Sequence, residues 1–317
     1  MTVESMQTGQ QGGPVGGGRI ASDARWLAAG AAGLAAAVLA LWAFRALPGG
    51  ALALWLSAMP LFMAGMGFGL SSLLASIALA ALVVLLLGNA VMLGLFLAAF
   101  AAPVLTLMVA AGARERSLGA PFAMLGVIPA LGIATAALLL SDSPGGLEGE
   151  MRRAAELGLS RLGLPAGEAM VAELVRVKAA AIGFWVMIAL LVNAAAAAAL
   201  LVRAGVLEAT PAWREARLPA WYLVLPALAA LAWFAADEAA DAVPLSLLLA
   251  LLVPVFLHGL AAFHRATRTL RGRPMLLGGA YAALLIFAVP MALAATGFGL
   301  FDIVNGNRGR PAPPPQS

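Results

Sequence analysis

Between Arg45 and Arg114 the chain runs for 68 residues without one Asp, Glu, Lys or Arg. Six further charge-free intervals follow the same pattern: 26–44, 117–141, 179–202, 218–236, 242–264 and 274–301. A soluble fold of this size cannot be drawn from such segments, because each would bring to the surface long stretches with no charge to solvate it. The whole chain is 63% hydrophobic and 11% charged, whereas soluble domains are about 45–50% apolar and about 25% charged. Intrinsic disorder needs the opposite balance. With no cysteine, disulfides, thiolate metal sites and cysteine nucleophiles are excluded.

A helix crossing ~30 Å of hydrocarbon takes roughly 20 apolar residues. The intervals therefore predict nine spans, at 26–44, 51–66, 70–87, 90–112, 120–140, 179–202, 219–236, 244–263 and 275–300. The segment 51–66 is short and carries Pro60; as a broken or re-entrant element it would leave eight. The runs are apolar on every face, as a lipid-embedded helix is, and lack the alternation of a barrel strand. The expected class is all-α: a polytopic transmembrane helix bundle.

Positive-inside asymmetry sets the expected orientation. The loop 264–273 holds Arg265, Arg268, Arg271 and Arg273 with no acid, and the preceding loop holds Asp237, Glu238 and Asp241 with no base. This places 264–273 and the N-terminus in the cytoplasm and 142–178 outside. Nine spans put the C-terminus outside, against which Arg308 and Arg310 argue; an even count would put it inside. Residues 1–24 read as a flexible Gly/Gln-rich tail and 304–317 as a Pro-rich tail, flanking a transmembrane domain over 25–303. One lysine against eighteen arginines, with abundant Ala and Gly, suggests a GC-rich bacterial gene and hence a bacterial inner membrane. The basic residues cluster at span ends without interleaved aromatics, so the expected partner is the lipid bilayer, with other membrane subunits, and not nucleic acid.

The polar insertion 142–178 reads as two amphipathic helices on the outer face, carrying Leu147, Met151, Ala154 and Leu157 and then Met170, Leu174 and Val177 at helical spacing. It would serve as an interfacial connector, a lid or a partner surface. Six spans carry an internal proline: Pro60, Pro103, Pro129, Pro226, Pro254 and Pro290. Prolines can open a helix and expose backbone groups to a substrate, or be absorbed by neighbouring helices. Gly65 and Gly69 form a small-xxx-small pair suited to close helix packing.

Candidate ligand-binding residues are the polar or helix-breaking ones within the spans: His258, Asn193, Asn89 and Pro60. Ionisable groups within a membrane are functional candidates by default. His258 has no acid at i±3 or i±4, so hydrogen bonding to another helix competes with a ligand or proton-relay role; Asn193 could equally be interhelical glue. Asp237, Glu238 and Asp241 mark topology or could hold a cation, and Trp213, Trp221 and Tyr222 form an interfacial belt. The chain has no phosphate-binding GxxxxGK[ST], no HExxH, no GxSxG and no pair of carboxylates in one span. No catalytic residue, metal ligand or cofactor is expected, and an enzyme is not.

Arg217-Leu-Pro-Ala-Trp221, Gly259-Leu-Ala-Ala-Phe-His264 and Gly299-Leu-Phe-Asp302 followed by Arg308, together with Pro60-Leu61 and Gly67-Phe-Gly69, resemble the YybS-like family of bacterial multi-pass membrane proteins. Ile303–Asn307 stands where that family usually has aromatic residues. The family is distantly similar to the substrate-binding subunits of energy-coupling-factor vitamin transporters and to the rod-shape protein MreD. The resemblance implies a helical core with a small-molecule cavity and a transport-accessory role, or, as for MreD, a scaffold role in a membrane assembly without a ligand.

Overall fold

A computed structural model describes residues 24–112, 118–164, 167–212, 215–237 and 241–308. The first 23 and last nine residues, with Arg114, Glu115, Arg116, Pro165, Trp213, Arg214 and Glu238, lie outside the described residues.

The described chain is an all-α bundle of thirteen helices: α1 (Ala24–Phe44), α2 (Gly50–Leu56), α3 (Met59–Phe68), α4 (Leu70–Leu87), α5 (Ala90–Phe96), α6 (Ala102–Gly112), α7 (Gly119–Leu139), α8 (Gly146–Arg161), α9 (Glu168–Arg203), α10 (Val224–Ala235), α11 (Ala242–Ala266), α12 (Arg273–Ile286) and α13 (Ala288–Arg308). Among the described residues eight helical segments are long and apolar enough to cross a membrane, with α2 and α3 acting as one and α5 and α6 as another. The chain is thus a multi-pass membrane protein by fold.

Alanine and leucine dominate these helices because they combine high helix propensity with tolerance for hydrocarbon. Breaks fall where the backbone has a specific reason. Pro60 is the second residue of α3, a first-turn position whose missing N–H costs nothing, and Pro226 is the third residue of α10, just after the change from a 3-10 turn (Ala220–Leu223) to α-helix. A π-helical turn, Leu97–Ala101, precedes Pro103 and makes room for its ring. Among the described residues, Pro129 in α7 and Pro254 in α11 are the two that sit inside a helix. Gly69 has φ +87° and ends α3, so the Gly65/Gly69 pair marks a helix boundary and not a packing seam along one helix.

The largest departure from expectation is the last interval. Instead of one span at 275–300, the chain breaks at Phe287, with φ −116° and ψ 55°, into α12 and α13; Pro290 falls in the first turn of α13. The α13 helix then packs on α11 through two glycines. A Cβ on Gly259 would stand 1.8 Å from the Ala295 carbonyl oxygen, and one on Gly299 would stand 2.4 Å from the Val255 carbonyl oxygen. Each glycine meets the turn preceding the other, which makes α11 and α13 parallel where they cross. The carboxyl end of α13 therefore shares an end of the bundle with that of α11 and its arginine-rich loop, and residues 304–308, expected in the tail, are helical.

The N-terminal half repeats the device: α1 and α4 run alongside one another, joined by Ser72 Oγ donating to the Arg25 carbonyl (3.2 Å) and by Arg45 donating to the Leu87 carbonyl. The polar insertion folds as α8 and the start of α9, which continues into its span without interruption for 36 residues. The two helices pack through Ala155, Leu159, Val171 and Val175, with Met151 alongside. The stripe expected at Met170, Leu174 and Val177 is exposed, because the face of α9 that meets α8 lies one residue along. At the same end, the Asp241 carboxylate accepts from Arg176 (2.5 Å) on α9 and from Trp233 Nε1 (3.3 Å) on α10.

Candidate functional site

Three segments converge where α11 and α13 cross. Because the glycine contact lets the backbones approach, His258, next to Gly259 on α11, can meet Asp302, about one turn past Gly299 on α13. His258 is 1% exposed, and its ring is held on both sides. The buried Leu218 N–H donates to Nδ1 (3.1 Å). That nitrogen is therefore the unprotonated one, and in the neutral ring Nε2 carries the proton. The Nε2–H donates to Asp302 Oδ2 (2.8 Å), and Arg265 Nη2 donates to the same oxygen (2.8 Å). Arg265 also reaches the Ala216 carbonyl (3.5 Å). One carboxylate oxygen thus ties α11, α13 and the segment preceding α10 together. Such charge-assisted hydrogen bonds are among the stronger ones.

The surrounding helices are shaped to this network. Tyr222 is fully buried, and its hydroxyl donates to the Leu251 carbonyl (2.8 Å) in the turn that Pro254 interrupts. The donor that Pro254 lacks would have served the Ala250 carbonyl, and the tyrosine adds a bond to the next carbonyl of that weakened turn. Gly126 of α7 leaves the space: a Cβ there would lie 2.1 Å from the Tyr222 hydroxyl and 2.7 Å from the Pro254 ring.

His258 and Asp302 form part of the wall of a cavity of about 840 Å³. Arg217, Glu215 and Trp221 contribute from the 215–221 segment, and Leu118, Gly119 and Ala120 from the start of α7, where a helix carries partial positive charge. Glu215 pairs with Arg268 (3.1 Å), whereas the Arg217 side chain has no ion-pair partner among the described residues. A second recess of about 280 Å³, lined by Phe62, Met66, Met108, Leu190 and Leu191, adjoins the first across Leu118 and Pro211. A charged chamber is thus joined to an apolar one.

Of the four residues singled out on sequence, only His258 lines this cavity. Asn193 is buried and donates to the Trp55 carbonyl (2.6 Å) and to its own helix at Ala189 (2.7 Å), joining α9 to the end of α2. Asn89 is exposed and caps α5, accepting from the Met92 N–H (2.9 Å). Pro60 is buried at the start of α3. The structure does not bring these three together with His258. Sequence reasoning missed Asp302 and the Leu218 N–H as its partners, and Arg265 as the second donor to Asp302, because no local spacing links residues 44 or 40 positions apart. The available signal was the set of motifs itself: Arg217–Trp221, Gly259–His264 and Gly299–Asp302 are the segments that meet here. Among the described residues no group of three acidic, His or Cys side chains could hold a metal ion. Comparison of the chain with models of known protein families, with curated proteins and with solved structures gave no match in any of the three.

Proposed function

We propose that this multi-pass membrane protein binds a small molecule carrying an anionic group and an apolar body, as a transport-accessory or substrate-binding subunit of the bacterial inner membrane. The observation that carries the reading is the junction of the two chambers. Arg217 and the first turn of α7 offer positive charge, Trp221 an aromatic face, and the adjoining recess an apolar wall. The likeness of the converging motifs to the YybS-like family supports the same reading. Binding without catalysis fits the state of His258: both ring nitrogens are engaged, so it holds Asp302 and offers no free lone pair as a base. With the arginine-rich loop cytoplasmic, the cavity opens at the cytoplasmic end.

Thermal unfolding of the purified full-length protein against a panel of vitamin-like carboxylates and phosphorylated metabolites tests this. A ligand at a hundredfold excess over its Kd stabilises by about 2.7 kcal/mol. At least one panel member should raise the melting temperature, and Arg217→Gln should abolish the rise. No response from any member, or an unchanged response in Arg217→Gln, would count against the reading.

A scaffold role is favoured by a different feature. At ~1.5 Å per residue α9 is about 54 Å long, well beyond the ~30 Å of a hydrocarbon core. Its projecting start, α8 and the residue that caps α8 expose Leu157, Leu162, Met170, Leu174 and Val177. Leu174→Glu should abolish crosslinking to a partner subunit in intact membranes; crosslinks unchanged by it would remove this reading.

A further inference from the structure

On the opposite side of α11 from the cavity, Gly259, Leu260 and Phe263 face a separate recess of about 210 Å³, closed by Ala280, Tyr281 and Leu284 of α12 and by Met291, Ala294, Ala295 and Phe298 of α13. The lining is apolar except at one rim, where His264 Nε2 and the Tyr281 hydroxyl hydrogen-bond (2.7 Å). From Tyr281 the recess runs toward the α12–α13 break, where Leu284 and Met291 face one another. The α12 helix has no buried residue, so the fold leaves this side uncovered. What lies at the open end of the hairpin is charged. The loop from Thr267 to Arg273 carries Arg268, Arg271 and Arg273 and no acid. Arg268 is paired with Glu215, but the side chains of Arg271 and Arg273 have no partner among the described residues, and Arg273 Nε is buried without a hydrogen bond.

We propose that the α11–α12–α13 recess seats an acyl chain of an anionic phospholipid whose phosphate is held by Arg271 and Arg273. The α12 helix is about 21 Å long, so the arginines at its start and the apolar recess along its second half are spaced as a headgroup and the tail beneath it. A basic cluster at the membrane end of a groove between helices is a recognised setting for anionic headgroups, and a guanidinium donates to phosphate through a planar fork. A zwitterionic lipid would present the same tail, but its cationic headgroup group would meet unpaired arginines. The proposal is independent of the ligand in the His258 cavity, since no residue is shared between the two linings.

The test is native mass spectrometry of the full-length protein released from nanodiscs of mixed phosphatidylglycerol and phosphatidylcholine, paired with thermal unfolding in each lipid alone. Phosphatidylglycerol should be retained selectively and should raise the melting temperature more than phosphatidylcholine. The double variant Arg271→Gln/Arg273→Gln should weaken that retention by roughly thirtyfold. Ala294→Phe, which fills the recess, should reduce it while leaving the arginines in place. Should the double variant lose helicity, Ala294→Phe decides alone. Equal retention of the two lipids, or retention unchanged in Ala294→Phe, would overturn the proposal. So would reproduction of the stabilisation by inorganic phosphate alone, or a protein subunit found crosslinked across α12 in place of lipid.

Discussion

Gly259 and Gly299 stand backbone to backbone: the Cβ that an alanine would place at 259 lies 1.8 Å from the Ala295 carbonyl oxygen, and one at 299 lies 2.9 Å from the Gly259 nitrogen. Neither clash involves a flexible side chain that could swing away, so an alanine must push the helices apart. Overpacking of this kind costs about 1–3 kcal/mol where a core can relax, and here it also withdraws Asp302 from His258. Gly259→Ala and Gly299→Ala should each lower thermal stability sharply. Ala substitution at Gly297, where a Cβ meets nothing within 4 Å, should be close to neutral. Equal effects at 297 and 299 would contradict the close crossing.

The His258–Asp302 bond makes a separable prediction. His258→Asn keeps an acceptor near Nδ1 for the Leu218 N–H but cannot reach Asp302. His258→Ala removes both contacts and leaves a buried N–H unpaired, which costs about 1–3 kcal/mol. Stability should therefore fall in the order wild type, His258→Asn, His258→Ala. A double-mutant cycle of His258→Asn with Asp302→Asn should show a coupling of about 0.5–3 kcal/mol. Additive effects would show that the two side chains do not support one another.

The same residues show what the sequence could and could not reveal. Charge-free intervals locate α1, α4, α7 and α11 to within a few residues, because burial in hydrocarbon excludes charge along a whole span. They do not report a break inside an apolar interval that is short enough for one span. The turn at Phe287 is made by backbone dihedrals among residues that are equally apolar on both sides, so α12 and α13 look like one span. Nor do they report direction: the parallel packing of α11 and α13 follows from two glycines whose meaning appears only when they face one another. His258 was visible as a lone ionisable group in a span. Its role was not, since Asp302 lies just past the last charge-free interval and looks like a span-end marker. In the insertion, helical spacing identified α8 and α9, but which of two adjacent apolar stripes on α9 is buried depends on where α8 lies.

At the other end of the bundle, Asp241 precedes the first residue of α11 and is 7% exposed. The hydrogen bond from Arg176 holds its carboxyl below the usual range, with Trp233 adding to the effect. A depressed carboxylate contributes stability that is present above the unfolded-state value, about 3.9, and is lost as pH falls through the lower folded value. The melting temperature should therefore be insensitive to this group at neutral pH and should decline below about pH 4. Asp241→Asn should lower stability at pH 7 and flatten that part of the acid limb. An unchanged acid limb in the variant would show that the Arg176 contact does not persist in solution.

Tyr222 tests how the proline in α11 is tolerated. Its hydroxyl is the partner of the Leu251 carbonyl, and Gly126 is the residue that leaves room for it. Tyr222→Phe keeps the ring and its packing while leaving that carbonyl buried, so it should cost about 1–3 kcal/mol. If the hydroxyl serves to offset the interruption at Pro254, the cost should shrink when the helix is repaired: in a Pro254→Ala background the N–H at 254 can bond the Ala250 carbonyl, the straightened turn lets the Val255 N–H close on the Leu251 carbonyl, and Tyr222→Phe should become markedly milder. The measurement is a thermal or denaturant comparison of the four proteins. An equal penalty for Tyr222→Phe in both backgrounds would separate the tyrosine from the proline and assign it to packing alone.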